Sequence, residues 1–312
     1  MPLNRRSFLS LSALLSAGSF LQTKANTTQT NHMQIPATFS PVILATNWGF
    51  EGSTDAFCAK AKAAGYDGIE VWWPSTEAAR NELFQALEKY QLQVGFLTGG
   101  SSSDPKKHFE QFSEMISGAI LQNRIQPLYI NCHSGKDFFS IKENEPFILL
   151  TQELNSKTGI PVYHETHRGR MLYAAPIARQ YLQQFPELKL TLDISHWCNV
   201  HESLLQDQSA TIQMALNRTG HIHARIGHPE GPQVNDPRAP EWKQAVDQHL
   251  QWWDTVVQNA IARGASQMTF LTEFGPADYL PTLPYSRQPV ANQWDINVYM
   301  LQLIRNRYST KK

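Results

Sequence analysis

The sequence predicts an α/β fold, a (β/α)₈ barrel built as a single domain, and three observations carry that prediction. Eight short β-like runs alternate with helical patterns between residues 40 and 312, the arithmetic of an eightfold βα repeat. The 312 residues, 41% hydrophobic and 17% charged, are enough for one large core, since such barrels commonly run to about 250 residues. Four successive runs in the second half carry a Glu, an Asp, a His and a Glu at or near their C-terminal ends. Parallel strands of a barrel bring those ends to one face, where barrel enzymes keep their chemistry.

The elements follow in order. Residues 42–46 (VILAT) are apolar and β-branched, a first strand, and residues 54–64 read as a helix. Residues 68–72 (GIEVW) form the second strand, with helical spacing over 76–90, and residues 93–97 (QVGFL) the third. Asp104 and Pro105 start the next helix, a capping residue followed by proline at the first helical position. The fourth strand is 127–132 (PLYINC), followed by a helix over 144–155. Strands over 160–164, 191–194, 221–226 and 268–272 complete the eight, with helices near 173–184, 202–217, 241–263 and 292–307. A doubly wound open sheet would want a glycine-rich phosphate turn after its first strand. The run Gly99-Gly100-Ser101-Ser102-Ser103 follows the third instead and lacks the required order.

The first residues stand apart from this pattern. Asn4-Arg5-Arg6-Ser7-Phe8-Leu9 precedes a modestly apolar stretch over 9–21. This is the layout of a twin-arginine signal peptide over residues 1–25, with a flexible leader over 26–39 and the barrel over 40–312. The apolar stretch is too short and too interrupted for a stable membrane span. The expectation is export by the twin-arginine machinery, to the periplasm or an equivalent compartment. Formal net charge is zero, from 27 basic and 27 acidic residues; no basic stripe favours nucleic acid. Cys58, Cys132 and Cys198 are an odd set without a close pair, so buried free thiols are expected rather than a disulfide framework or a zinc knuckle. The tryptophans Trp48, Trp72, Trp73 and Trp197 lie at strand ends, where some can line a sugar pocket.

The site residues come from the last four strands. Glu165 in YHETHRG, Asp193 in LTLDISHW, His223 in GHIHARIGH and Glu273 in MTFLTEFGP form an oxygen-rich set with one imidazole, suited to a single divalent ion. Singly, each carboxylate has an ion-pair explanation, because a buried carboxylate needs a cation or donors. Four such residues at equivalent strand ends point to a shared site. Glu70 on the second strand and His133 after the fourth fall on the same face. The long irregular stretch over 226–240, directly after the His223 strand, is expected to cover the site.

These motifs resemble the xylose isomerase-like TIM-barrel superfamily, which includes sugar phosphate isomerases, ketose 3-epimerases and endonuclease IV. The carriers are GYDGIEVW (65–72), HETHRG (164–169), LDISH (192–196), GHIH (220–223) and TEFG (272–275). The resemblance implies that Glu165, Asp193, His223 and Glu273 hold one Mn²⁺ or Mg²⁺, with Co²⁺ or Zn²⁺ as other fits. It selects His223 over His221 and places His196, three residues after the aspartate, against the substrate. Six residues after the metal histidine, where the epimerases carry a substrate-binding arginine, this chain has Pro229; Arg225 or Arg238 is expected to replace it. The implied reaction is sugar isomerisation or epimerisation through an enediolate, with Glu165 and Glu273 as acid and base. Other readings are a lyase cleaving an oxidised (3-keto) glycoside by β-elimination, or a non-catalytic sugar-binding barrel. A small carbohydrate is the expected partner, unphosphorylated if the protein is exported. The sequence leaves the oligomeric state open, a homodimer included.

Overall fold

The computed structural model describes residues 34–309. Eight parallel strands close into a barrel in sequence order: β1 (Ser40–Thr46), β2 (Gly68–Trp72), β3 (Gln93–Gly99), β4 (Ile130–His133), β5 (Val162–Glu165), β6 (Leu190–Leu192), β7 (Thr219–His223) and β8 (Gln267–Thr272). Closure comes from β1 against β8, with Leu44 opposite Leu271 and Ala45 opposite Thr272. The TIM-barrel expectation therefore holds in strand number, order and direction. The core is apolar, with Ile43, Ile69, Phe96, Ile130, Leu190, Ile222 and Phe270 all buried.

Around the barrel run α1 (Thr54–Ala64), α2 (Glu77–Tyr90), α3 (Pro105–Leu121), α4 (Ile141–Thr158), α5 (Ala175–Gln184), α6 (Ile194–Val200), α7 (Ser209–Arg218), α8 (Lys243–Ala262) and α9 (Gln293–Tyr308). Their ends follow local chemistry. The Asp104 side chain accepts from Lys107 N at the start of α3, with Pro105 next, as the sequence predicts. Ser140 and Glu143 form a capping box that starts α4 three residues before its expected beginning. Gly65 ends α1 at φ 91°, a left-handed position that suits glycine.

Two strands differ from expectation in ways that shape the mouth of the barrel. β6 stops at Leu192 rather than Ile194, because Asp193 caps α6 by accepting from Ser195 N at 3.2 Å. The apolar residues Leu192, Ile194 and Trp197 run on through this strand-to-helix change. β7 stops at His223, where Arg225 N turns back to His223 O at 3.0 Å. That turn carries Arg225 across the barrel mouth instead of along the strand.

Cys58, Cys132 and Cys198 are buried free thiols, as expected. No described helix is long and apolar enough to cross a membrane. The signal expected over residues 1–25 lies outside the described residues, as do leader residues 26–33.

Candidate metal centre

Glu165, Asp193, His223 and Glu273 come together at the C-terminal face, each with a ligand atom within 4.8 Å of the others'. All four are buried or nearly so. β5 ends on Glu165, β7 ends on His223, and Asp193 and Glu273 directly follow β6 and β8, so strand length sets the depth at which each side chain enters.

Three ligand atoms have no hydrogen-bond partner although fully buried: Glu165 Oε1, His223 Nδ1 and Glu273 Oε2. His223 Nδ1 lies 2.9 Å from Glu273 Oε2 and 3.6 Å from Glu165 Oε1, close but not aligned as hydrogen bonds. Buried polar atoms without partners are costly, and two carboxylate oxygens converging on one imidazole nitrogen form a cation-seeking pocket. Burial disfavours a charge on His223, yet Glu273, Glu165 and Glu70 outweigh it and raise the imidazole well above its ordinary range. Glu165 is held well below the usual carboxylate range: burial works against its charge, and the neighbouring His133 and His223 overcome it. Burial pushes the Asp193 carboxyl up to about 6 against the pull of Arg225, with Glu273 and Glu165 adding to the push. The residues present fit a divalent ion.

Surrounding side chains orient this set. His223 Nε2 faces Glu70 Oε1 at 3.3 Å and Asn131 Nδ2 at 3.2 Å, and Tyr129 donates its hydroxyl to Glu70 Oε2 at 2.8 Å. Glu70 beside Nε2 can keep the proton there, so that a cation entering the pocket would displace only the proton on Nδ1, a carboxylate–histidine support of the kind metal sites use. The far oxygen of Glu165, Oε2, accepts from Asn131 Nδ2 at 2.8 Å and meets His133 Nε2 at 2.9 Å. Asn131 and Tyr129 are not singled out by the sequence. Their signal is weak, two polar groups inside the apolar run PLYINC.

Asp193 is held differently. Its Oδ1 accepts from Ser195 N and Ser195 Oγ, and its Oδ2 accepts from Arg225 Nη2. Arg225 is itself buried, donates weakly to Ser195 Oγ through Nε (3.3 Å), and lies against the Tyr279 ring at 4.8 Å.

A cavity of about 210 Å³ opens over this cluster, walled by Trp48, Trp72, His133, His167, Arg225, Glu273 and Tyr279, with Glu70 at its lining. Among the expected substrate contacts, Arg225, His133 and Glu70 are therefore at the cavity. His196 is not: it is fully buried, and its Nε2 faces Arg225 Nη2 at 2.9 Å, so it supports the arginine. Nor is Arg238, which is exposed, paired with Asp236 at 2.6 Å and stacked near Tyr299 of α9. The stretch over 226–240 does not cover the site. Gln233 exchanges hydrogen bonds with the Gly275 backbone and Gly227 N donates to His249 Nε2, so the segment is anchored into the protein at Gly227 and Gln233. The loop after β8 supplies Tyr279 instead. Of the strand-end tryptophans, Trp48 and Trp72 are exposed at the cavity, whereas Trp73 and Trp197 are core.

No protein-family model and no curated protein matches the sequence. Among solved structures, the fold is similar to the apo 3-keto-D-glucoside 4-epimerase of E. coli, at TM-score 0.59 and 14% identity, covering 86% of this chain and 100% of that one. A xylose isomerase domain containing protein of Salmonella typhimurium aligns at TM-score 0.55 and 16% identity, over 87% and 99% of the two chains. A probable 3-DHS dehydratase of Bacillus anthracis aligns at TM-score 0.54 and 17% identity, over 86% and 100%. The chain thus shares the TIM-barrel fold of these proteins, one of them a xylose isomerase domain containing protein.

Proposed function

We propose that this protein is a metal-dependent sugar isomerase or epimerase that moves a proton at a carbon next to a carbonyl. The observation that carries the reading is the convergence of the unpartnered atoms Glu165 Oε1, His223 Nδ1 and Glu273 Oε2 beneath a small cavity. Glu165, His223 and Glu273, with Asp193 beside them, would hold the ion; the oxygen-rich set favours Mn²⁺ or Mg²⁺. When bound, such an ion supplies Lewis-acid polarisation of the substrate carbonyl.

The protein's own groups do the rest. Glu273 faces the cavity and takes the proton from carbon. Glu165 lies deeper, and His133, 2.9 Å from its Oε2, lines the cavity on that side. The Glu165–His133 pair returns a proton to carbon, so that one proton leaves and one arrives with no net change in charge. Arg225 donates toward substrate oxygens from the cavity wall, and Trp48 and Trp72 exclude water from two sides.

A free sugar or keto-sugar is the substrate class, the latter also acted on by the E. coli structural neighbour whose name specifies a 3-keto-D-glucoside. The same proton removal in an oxidised glycoside would end in β-elimination. Incubation with ketoses and 3-keto glycosides in D₂O tests the reading: deuterium enters at carbon, and Glu165→Gln and Glu273→Gln lower the exchange about 10²–10⁴-fold. Bond cleavage in place of exchange makes the protein a lyase, and wild-type exchange in both variants rejects the acid–base pair.

A further inference from the structure

A second cavity, a groove of about 630 Å³, runs along the side of α3, and Trp72 belongs to its lining and to that of the metal pocket. Its walls combine an apolar part, the exposed Trp72, the Met115 thioether and the backbone of Gly99 and Gly100, with polar side chains that include Arg80, Gln111 and one carboxylate, Glu114. Lys136 and Arg170 also line it, both half-buried, and among the described residues neither has a carboxylate partner in an ion pair. Arg170 has five donors and spends two on long contacts, Gly100 O at 3.4 Å and His133 Nδ1 at 3.5 Å. Burial, then the charge of Arg170, depresses the Lys136 ammonium. Two neighbouring cations with spare donors beside an apolar wall are complementary to an anion carried on an apolar body.

We propose that this groove holds the aglycone of a glycoside whose sugar occupies the metal pocket, the aglycone laying a flat apolar face on Trp72 and a carboxylate between Lys136 and Arg170. This rests on the proton-transfer reading for the sugar half and narrows its substrate from a free sugar to an acidic glycoside. Trp72 is the structural reason for joining the two cavities into one extended site: a ring that lines both serves sugar and aglycone at once. An aromatic acid and a uronic acid residue share this chemistry, each having an apolar face and a carboxylate.

Titration calorimetry on the Mn²⁺-loaded full chain tests the proposal with phenyl glucoside, 4-carboxyphenyl glucoside, cellobiose and a glucuronic acid-containing disaccharide. The expected result is a preference of about tenfold to a hundredfold for a carboxylated ligand over its neutral counterpart. That preference falls to near unity in Lys136→Met and returns in Lys136→Arg. The larger preference, aryl or uronic, identifies the source. Equal binding of acid and neutral ligands, or a preference that persists in Lys136→Met, overturns the proposal. Deuterium exchange on the 3-keto derivatives of the same glycosides separates the two claims. Acid preference without exchange keeps the groove and rejects the proton-transfer reading; exchange without acid preference does the reverse.

Discussion

Arg225 donates through Nη2 to Asp193, and this makes Asp193 the one carboxylate of the cluster with a donor on each oxygen. The same guanidinium lies 3.4 Å from Glu273 Oε2, so the negative charge of the site is shared between a fixed arginine and the pocket left for an ion. Removing one partner of a buried pair costs about 3–5 kcal/mol, because the other charge stays buried and uncompensated. Arg225→Met should therefore destabilise the protein by about that much in chelator. Mn²⁺ should return part of the loss, since a bound cation takes over the compensation of Asp193. Urea unfolding with and without Mn²⁺ measures this; an identical loss in both conditions would show that the arginine and the ion site are independent.

Glu70 supports the site from below. With Oε1 3.3 Å from His223 Nε2, Oε2 3.4 Å from His221 Nε2 and the Tyr129 hydroxyl donating to Oε2, it fixes the ring that presents Nδ1 upward. Loss of such a support typically lowers metal affinity about 10–100-fold. Glu70→Gln is expected to fall in that range in a chelator competition assay, and Tyr129→Phe, which removes one hydrogen bond onto Glu70, to fall by less. Unchanged affinity in Glu70→Gln would remove Glu70 from the metal centre.

How much of this was legible in the sequence follows from range of interaction. Strands β2 and β8, the ends of α1 and the start of α3 are decided by neighbours in sequence, and apolar runs and caps reveal them. The clustering of Glu165, Asp193, His223 and Glu273 was legible because a parallel barrel converts position along a strand into depth in space. Arg238 and His196 show the limit. A polar residue near the right strand end is a contact only if the chain turns toward the cavity. Arg238 is captured by Asp236 two residues away, while Asp193 starts a helix that buries His196 beneath Arg225. The supporting roles of Asn131, Tyr129 and Glu70 depend on pairs 34 to 153 positions apart in sequence, which no local pattern encodes.

Export is a separate prediction, carried by Arg5-Arg6 and the apolar stretch after them. β1 begins at Ser40 and Phe39 is buried, so cleavage near residue 25 would leave the barrel's first strand whole. Cell fractionation should find the wild-type protein outside the cytoplasm at reduced mass, and Arg5→Lys/Arg6→Lys inside it at full mass. Equal export of the two proteins would reject the twin-arginine reading.

Acid sensitivity of the fold should come in part from His249. It is fully buried on α8, with Nδ1 2.8 Å from Ala245 O and Nε2 accepting from Gly227 N at 3.2 Å. A ring that donates on one side and accepts on the other is neutral, and burial lowers its pKa from 6.5 to about 4. The unfolded chain therefore takes up this proton first as pH falls. The stabilisation is complete above the unfolded value near 6.5 and drains away toward pH 4, by about 3 kcal/mol in total. Urea unfolding at pH 7.5 and pH 4.5 should show His249→Gln losing less stability on acidification than the wild type, by about 2–3 kcal/mol. The glutamine still offers an acceptor near Gly227 N but takes up no proton, so the comparison isolates the titration from the hydrogen bond. Parallel pH profiles for the two proteins would place the acid sensitivity elsewhere in the barrel.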